Sequence, residues 1–311
     1  TPIRHERLGD VVRWMATRKP GPWRKWTEIP PAAAPAWRVG AGEMRVTFVN
    51  HATVLVQMDG VNVLTDPIWS ERCSPVSFAG PRRVHAPGLR FEDLPPIDAV
   101  LVSHNHYDHM DVPTLRRLEQ ERRPRIFVPL RNRRTLERRG VAGAEELDWW
   151  QSARISEGIQ VHAVPAQHFS GRGLFDRDRA LWAGFVVTSP AGSTYFAGDT
   201  GFGPHFAEIR KRLGPPRLAL LPIGAYRPEW FMSRVHMSPD EALRAHGILG
   251  AGTSAGIHFG TFRLADDGQD EPAQRIEELL RGGDPPPRFW ILGPGEGRNV
   301  PAVEMSRRVA R

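Results

Sequence analysis

The pattern of apolar and polar positions changes near residue 40. Before it, apolar residues recur at the spacing of one helix face, and several prolines then interrupt regular structure. The apolar positions at helical spacing are Leu8, Val11, Val12 and Met15. We therefore predict an N-terminal arm over residues 1–40 that contains a short amphipathic helix, followed by one domain over residues 41–311.

From Met44 onward, short apolar runs separated by turn residues indicate strands. Residues 45–58 and 61–64 are predicted to form a hairpin, because Asp59-Gly60 is a favoured two-residue turn. Further strands are predicted over residues 99–103, 125–128, 160–164, 182–188, 193–197 and 218–222.

Helical periodicity appears between these strands. Helices are predicted over residues 112–122, 130–139, 206–213, 239–249 and 271–281. The fourth has the clearest start, with Ser238 as N-cap, Pro239 in the first position and acidic residues in the first turn. Strands with helices between them predict an α/β or α+β class, which the pattern alone does not resolve further.

The candidate chemistry begins at the end of the run Ala99–Val102, where residues 104–109 have the sequence H-x-H-x-D-H. Three imidazoles and a carboxylate are costly to bury unless each is hydrogen-bonded or bound to a metal. Imidazole nitrogen and carboxylate oxygen are ligands that zinc accepts. A tight loop at a strand end could direct His104 and His106 at one ion, and Asp108 and His109 at a second. The alternative is a solvated histidine-rich loop.

Three more residues of ligand type follow short apolar runs further along the chain. They are His168, Asp199 and His258. Each alone is typical of a hydrogen-bonded structural residue. Together with the H-x-H-x-D-H loop, they predict one metal centre assembled from several strand ends. Gly198 and Gly260 stand beside two of these residues and indicate close backbone approach or a positive φ.

With these residues in place, the chain resembles the metallo-β-lactamase superfamily, and within it the N-acyl-phosphatidylethanolamine-hydrolysing phospholipase D family. The superfamily resemblance rests on Thr65-Asp66-Pro67, the loop 104–109 and the three further ligand-type residues. The narrower resemblance covers about residues 45–265. It rests on the stretches 51–56, 94–100, 146–150, 196–201 and 222–226.

The resemblance implies an αββα sandwich of two mixed sheets with external helices and a centre of two zinc ions. His104, His106 and His168 would hold one zinc, whereas Asp108, His109 and His258 would hold the other. Asp199 would bridge both ions. Asp66 would accept the free N–H of a ligand histidine and so orient its ring; its alternative role is a turn cap before Pro67.

The resemblance further implies a hydrolase of phospholipase D type that cleaves N-acyl-phosphatidylethanolamine-like or related phosphodiesters. Direct attack by a metal-activated hydroxide is the simplest mechanism, with Asp108 or water protonating the leaving alkoxide. Two alternatives stay open. One is a lactonase or ester hydrolase that uses the same hydroxide, and the other is a membrane-associated binding protein with a vestigial metal site.

Two departures from the family pattern concern the surroundings of the centre. Asn50 stands where the family usually has glycine. Ser77-Phe78 stands where the lipid-cleaving members resemble a Gln-Tyr pair that meets the head group. Ser77 and Phe78, together with Tyr226 and His236, are therefore our candidates for substrate contact, with structural roles as the alternative for the last two.

Charge adds a candidate partner. The net charge is +7, and residues 116–139 hold ten arginines against three glutamates. This basic run and the Trp-containing arm could attract an anionic membrane surface or anionic substrates. The alternatives are a solvated helix face and an arm whose tryptophans pack onto the enzyme. A nucleic-acid partner is not expected, because no recognisable module accompanies the charge.

Composition excludes several classes of protein. The single cysteine, Cys73, excludes an internal disulfide framework and a cysteine-based zinc site. A run of 18 apolar residues is missing, so no membrane-spanning helix is expected. The first residues show no signal-peptide pattern, and we expect a cytoplasmic or peripheral-membrane protein, with the periplasm as an alternative.

Overall fold

A computed structural model describes residues 8–30, 32–173, 175–282 and 286–303. Parts of the predicted arm (residues 1–7 and 31) and of the predicted domain (174, 283–285 and 304–311) lie outside the described residues. The division at residue 40 stays a prediction. Among the described residues, no helix combines the length and the apolar character that crossing a bilayer requires.

Two seven-stranded mixed sheets form the centre of the fold. The first contains β1 (Met44–Asn50), β2 (Thr53–Met58), β3 (Val61–Thr65), β4 (Ala99–Leu101), β5 (Arg125–Pro129), β6 (Glu145–Leu147) and β14 (Gly297–Asn299). Its order is β14-β1-β2-β3-β4-β5-β6, antiparallel as far as β3 and parallel from β3 to β6.

The second sheet repeats this plan. It contains β7 (Ser152–Ser156), β8 (Ile159–Val164), β9 (Gly184–Thr188), β10 (Thr194–Phe196), β11 (Leu218–Pro222), β12 (Thr253–Ile257) and β13 (Phe289–Trp290). Its order is β13-β12-β11-β10-β9-β8-β7, parallel from β13 to β10 and antiparallel from β10 to β7.

The helices are α1 (Leu8–Thr17), α2 (Val112–Glu121), α3 (Arg133–Glu137), α4 (His205–Leu213), α5 (Glu229–Met232), α6 (Pro239–Leu249) and α7 (Glu271–Leu280). Strand alternation divides the apolar residues between layers: Val54 and Val56 of β2 face the core between the sheets, whereas Leu55 joins a cluster with α2. A third cluster joins the second sheet to α4, α6 and α7. This arrangement is the predicted αββα sandwich.

Most predicted elements agree with the structure within two residues, and two predictions were wrong. The stretch 45–58 is two strands, because the chain reverses at His51-Ala52, where His51 has a φ of 46°. The helix predicted over 130–139 is only Arg133–Glu137, because Arg131 has a φ of 67°, which a right-handed helix does not contain. The Asp59-Gly60 turn is confirmed, with φ values of 45° and 76°.

The arm segment lies along the body of the protein. The indole N–H of Trp14 donates to Asp266, and that of Trp23 donates to the Asp267 carbonyl. Trp26 and Trp37, in contrast, are 42% and 69% exposed. Two tryptophans of the arm thus pack on the body, and the contact of the arm with a membrane stays a prediction.

Candidate metal centre

Strand direction brings the candidate ligands to one edge of the sandwich. β3, β4 and β5 are parallel, as are β10, β11 and β12. Residues that follow these strands therefore emerge on the same side of their sheet. Asp66 follows β3, the loop 104–109 follows β4, Asp199 follows β10 and His258 follows β12. Because the strands run in the same direction, the loops that follow them form the candidate site at one edge of the sandwich.

Small residues let the backbone segments meet. Gly198 precedes Asp199 with a φ of 60°, and a Cβ at this position would lie 2.5 Å from the Cβ of Ser103. A side chain there would push apart the loops that carry Asp199 and His104. Gly260 also has a positive φ, 68°, so both glycines occupy the conformation that the sequence indicated.

The first cluster consists of His104, His106 and His168, whose ligand atoms lie within 4.8 Å of one another. Nε2 of His104 and Nε2 of His168 lie 2.8 Å and 3.3 Å from Nδ1 of His106. Nδ1 of His168 lies 3.0 Å from the Val235 carbonyl, which can only accept, so this nitrogen carries the proton and Nε2 has a free lone pair. Nδ1 of His104 lies 2.9 Å from the Ser103 hydroxyl. Because this hydroxyl donates its proton to Asp66, it accepts from Nδ1–H of His104, and Nε2 of His104 also has a free lone pair.

The second cluster consists of Asp108, His109 and His258, joined by His51. Oδ2 of Asp108 lies 3.1 Å from Nε2 of His109, 3.3 Å from Nε2 of His258 and 2.9 Å from Nε2 of His51. All four side chains are buried or nearly so. The second group of predicted ligands is therefore also brought together.

Asp199 lies between the two clusters. Its Oδ2 is 3.1 Å from Nε2 of both His109 and His258, and 3.7 Å and 3.9 Å from Nε2 of His168 and His104. One carboxylate oxygen thus reaches histidines of both groups, as a bridging ligand must.

Asp66 lies behind the centre and is fully buried. Its carboxylate accepts hydrogen bonds from the backbone N–H of Ser103 at 2.7 Å, from the Ser103 hydroxyl at 2.6 Å and from Nδ1 of His109 at 2.6 Å. The His109 contact fixes that ring with Nε2 directed towards the aspartates, which is the geometry expected of a residue that orients a ligand.

The electrostatics of the cluster favour added positive charge. Burial opposes the charged form of His109, but Asp199, Asp108 and Asp66 outweigh it and hold its pKa well above the usual value. Burial is likewise outweighed at His258, where Asp199 and Asp108 raise the pKa to about 9. A divalent cation would meet the same demand, because either kind of positive charge offsets the two buried carboxylates.

A second observation also indicates that these side chains can hold a metal ion. Nε2 of His109 is buried with Oδ2 of Asp108 and Oδ2 of Asp199 each at 3.1 Å. Oδ1 of Asp199 is buried and has no hydrogen-bond partner among the described residues. Buried polar atoms without partners are rare in folded proteins and indicate a ligand, an ion or a catalytic role. Imidazole nitrogens with free lone pairs beside ionised carboxylates are suited to zinc and to other first-row metals.

His51 was missed as a site residue, although its stretch contributed to the family resemblance. Burial lowers its pKa to about 3, so the ring is neutral, and its one proton can be donated from Nε2 to Asp108. His51 follows β1, which runs in the same direction as β3 because β2 between them is antiparallel to both. A histidine at the end of an apolar strand was the available signal, and the incorrect hairpin prediction obscured it.

The four candidates for substrate contact are placed differently. His236 comes to the centre, with Nδ1 4.0 Å from Oδ2 of Asp199, and lines the same cavity as Asp108 and Asp199. Tyr226 donates to Glu271 at 2.7 Å and lines a neighbouring polar cavity that His236 also borders. Ser77 lines a separate cavity of about 270 Å³, and Phe78 is 80% exposed. The structure therefore brings only His236 into direct proximity with the predicted ligands.

Comparison with known proteins identifies the family of this chain. The sequence model of the family described as Beta-lactamase superfamily domain matches residues 61–259. An uncharacterised protein of Mycobacterium tuberculosis is 42% identical over 88% of this chain and 72% of its own length. N-acyl-phosphatidylethanolamine-hydrolyzing phospholipase D 1 of Caenorhabditis elegans is 41% identical over 75% of this chain and 69% of its own length.

The fold has solved counterparts as well. The structure of Igni18, a metallo hydrolase of the archaeon Ignicoccus hospitalis, aligns with a TM-score of 0.61 at 22% identity, covering 83% of this chain and 98% of that one. At this level of identity the likeness concerns the fold. With the family match over most of the sandwich and the relatives above 40% identity, this chain belongs to the beta-lactamase superfamily and is a metal-dependent hydrolase.

Proposed function

We propose that the chain is a binuclear zinc phosphodiesterase of phospholipase D type that acts on N-acyl-phosphatidylethanolamine-like or related phosphodiesters. The observation that carries the proposal is that six predicted ligands form two clusters, and that four of their histidines (His104, His168, His109 and His258) lie within 3.9 Å of Oδ2 of the seventh, Asp199. The choice of phosphodiesters is supported by the C. elegans relative and by a mitochondrial phospholipase D of the same description in Saccharomyces cerevisiae, 34% identical over 76% of this chain and 52% of its own length.

In this proposal His104, His106 and His168 hold one zinc, Asp108, His109 and His258 hold the other, and Asp199 contacts both. When bound, the two ions would activate water and neutralise the non-bridging oxygens of the phosphodiester. Asp66 and the Val235 carbonyl each accept a hydrogen bond from Nδ1–H on the far side of a ligand ring, which leaves Nε2 of His109 and His168 directed at the centre for coordination.

Asp108 and Asp199 are the proposed catalytic carboxylates, because both line the cavity above the centre. The contact from His51 restrains Asp108 at Oδ2. Asp108 would take up the proton that the attacking water loses and pass it to the leaving alkoxide, or water would protonate that alkoxide. The P–O bond on the alcohol side of phosphorus would break, and the alcohol would leave. His236, on the wall between this cavity and the neighbouring polar one, is the proposed substrate contact.

The substrate class is tested with a parallel panel on the zinc-loaded protein. Bis(p-nitrophenyl) phosphate should be hydrolysed, even if slowly, and N-acyl-phosphatidylethanolamine in mixed micelles should release phosphatidic acid, as measured by mass spectrometry. Lactones and p-nitrophenyl esters serve as comparison substrates for the lactonase alternative. If lactones are cleaved orders of magnitude faster than every phosphodiester, the phospholipase assignment is wrong and the lactonase alternative holds.

A peripheral association with an anionic membrane is the second part of the proposal. Arginines of the run 116–139 lie on exposed surfaces of α2, β5 and α3, although several pair with glutamates, such as Arg117 with Glu92 and Glu121. The exposed Trp26 and Trp37 of the arm could enter the interface of the bilayer.

Vesicle binding measures this association. Phosphatidylserine-containing vesicles should bind the protein more strongly than phosphatidylcholine vesicles, and molar salt should weaken binding because it shortens the Debye length to about 3 Å. Replacing Arg133 and Arg134 with serine should weaken binding about tenfold or more, at about 1 kcal/mol for each basic residue near the surface. Hydrolysis of a small soluble ester controls for folding. Equal binding to both vesicle types would identify the basic run as a solvated face.

A further inference from the structure

The helix α1 forms part of the wall of the active-site cavity. This cavity has a volume of about 320 Å³ and is lined by His106, Asp108, Asp199 and His258 of the metal centre. Apolar side chains line it as well. They are Val11, Trp14, Phe169, Ala225, Phe231, Met232, Val235 and Leu264, and the remaining lining residues are His236 and Arg177. Two of the eight apolar residues, Val11 and Trp14, come from the N-terminal segment, 93 and 90 positions before His104. An apolar surface therefore faces the polar centre across one small space.

Several contacts hold the side chain of Trp14 at the cavity. The ring of Trp14 stacks on Phe231 with centroids 5.0 Å apart, and its indole N–H donates to Asp266 at 3.1 Å. Arg18 donates to the other oxygen of Asp266 at 2.8 Å and lies over the Trp14 ring. The tryptophan is thus held in one orientation by stacking on one side and by a shared carboxylate on the other.

One face of α1 borders the cavity, and the other face is exposed to the solvent. Val11 and Trp14 are partly buried and lie about one helical turn apart. Val12 and Met15 are 59% and 69% exposed. The predicted apolar stripe is therefore rotated in the structure, and Trp14 takes the place on the buried face that the periodicity assigned to Val12 and Met15.

We propose that Val11 and Trp14 are specificity-determining residues that hold one apolar alkyl or aryl group attached to the scissile ester of the substrate. This inference rests on the proposed hydrolytic function of the same site. An apolar wall binds apolar groups because their surface leaves water. The volume corresponds to about ten water molecules at about 30 Å³ each, near the lower end of ligand pockets. This space accommodates one short chain or ring, or one segment of a longer chain.

The proposal is tested with methyl p-nitrophenyl phosphate and hexyl p-nitrophenyl phosphate, which differ only in the apolar group. Each buried methylene contributes about 0.8 kcal/mol, or about fourfold in kcat/KM. Allowing for partial burial, the ratio of kcat/KM for hexyl over methyl should exceed about tenfold in the unaltered protein. Val11→Glu should lower this ratio at least about tenfold, because a carboxylate replaces an apolar wall.

Val12→Glu is the matched control, since it introduces the same charge on the adjacent residue outside the cavity. Its hexyl-to-methyl ratio should equal that of the unaltered protein. Trp14→Ala and Trp37→Ala form a second pair, in which Trp14 lines the cavity and Trp37 is an exposed tryptophan of the same arm. Circular dichroism compares the folding of all four variants. Equal ratios within both pairs would overturn the proposal.

A binding measurement separates this inference from the proposed function. Calorimetry of the zinc-loaded protein with hexylphosphonate and methylphosphonate should show tighter binding of the hexyl compound, and Val11→Glu should remove the difference. If no phosphodiester is hydrolysed but this preference is present, the proposed function fails and the apolar subsite stands. If phosphodiesters are hydrolysed but both phosphonates bind equally, the subsite is wrong and the proposed function stands.

Discussion

Replacing His104 with alanine should abolish hydrolysis and remove metal from the protein. The unaltered protein should contain close to two metal ions per chain, with zinc preferred, because two ligand groups share Asp199. Loss of His104 removes one nitrogen of the first group, where its Nε2 lies 2.8 Å from Nδ1 of His106. The ions are expected to stabilise the transition state by several kcal/mol, so turnover should fall about a thousandfold or more.

Metal content is measured by inductively coupled plasma mass spectrometry, beside turnover of the substrate that the panel identifies. Asp108→Ala should have the same two effects, since Asp108 belongs to the second group. His162→Ala is the matched control: His162 is a partly buried histidine of β8, the strand that leads to His168, and its side-chain contact is with Thr188. This control should retain metal and activity.

Removal of the metal with a chelator also tests the alternative of a membrane-associated binding protein with a vestigial metal site. A membrane-associated binding protein with a vestigial centre would keep its function after chelation, whereas a hydrolase would lose turnover and recover it when zinc is returned. Full activity in a metal-free preparation would contradict the binuclear assignment and the hydrolytic mechanism together.

Replacing Asp66 with alanine should weaken the centre without removing a proposed ligand. Asp66 is fully buried and accepts three hydrogen bonds, two from Ser103 and one from His109. Without it, His109 loses the partner that fixes its tautomer, and metal affinity should fall about 10- to 100-fold. The donors left without a partner should also reduce the free energy of unfolding by about 1–3 kcal/mol or more.

Competition with a chromophoric chelator measures the affinity for zinc, and denaturant unfolding of the metal-free protein measures stability separately. Asp98→Asn provides the comparison, because Asp98 pairs with Arg38 near the opposite end of β3 and is partly exposed. Its zinc affinity should be unchanged. An Asp66→Ala protein with unaltered zinc affinity would assign Asp66 to the alternative role of a turn cap before Pro67.

Part of the site was predictable because residues of metal-ligand type directly follow apolar runs in the sequence. Residues 104–109 place several imidazoles and a carboxylate directly after an apolar run, where few structural roles could accommodate them. His168, Asp199 and His258 each follow an apolar run as well. The strands that carry these residues point the same way in the sandwich, so residues at their carboxyl ends meet.

No strand was predicted for β6, β7, β12, β13 or β14, and no helix was predicted for α5. β6, β7, β13 and β14 are short strands at the sheet edges, and β7 is largely exposed or half-buried, so alternation of apolar residues is faint there. The division of β1 from β2 depends on the positive φ of His51, which an uninterrupted apolar stretch does not reveal.

The sequence by itself indicated the class of chemistry, seven candidate ligands and an α/β or α+β class, because residue types and strand-end positions are local properties, and the resemblance to a known family implied the sandwich. Only the tertiary structure decided what surrounds those ligands. His51 contacts Asp108 across 57 positions of sequence, and Val11 and Trp14 reach a cavity whose other lining residues lie between positions 106 and 264. Such contacts depend on the direction of strands and the rotation of a helix, which are settled by packing between segments distant in sequence rather than by the pattern of any one segment.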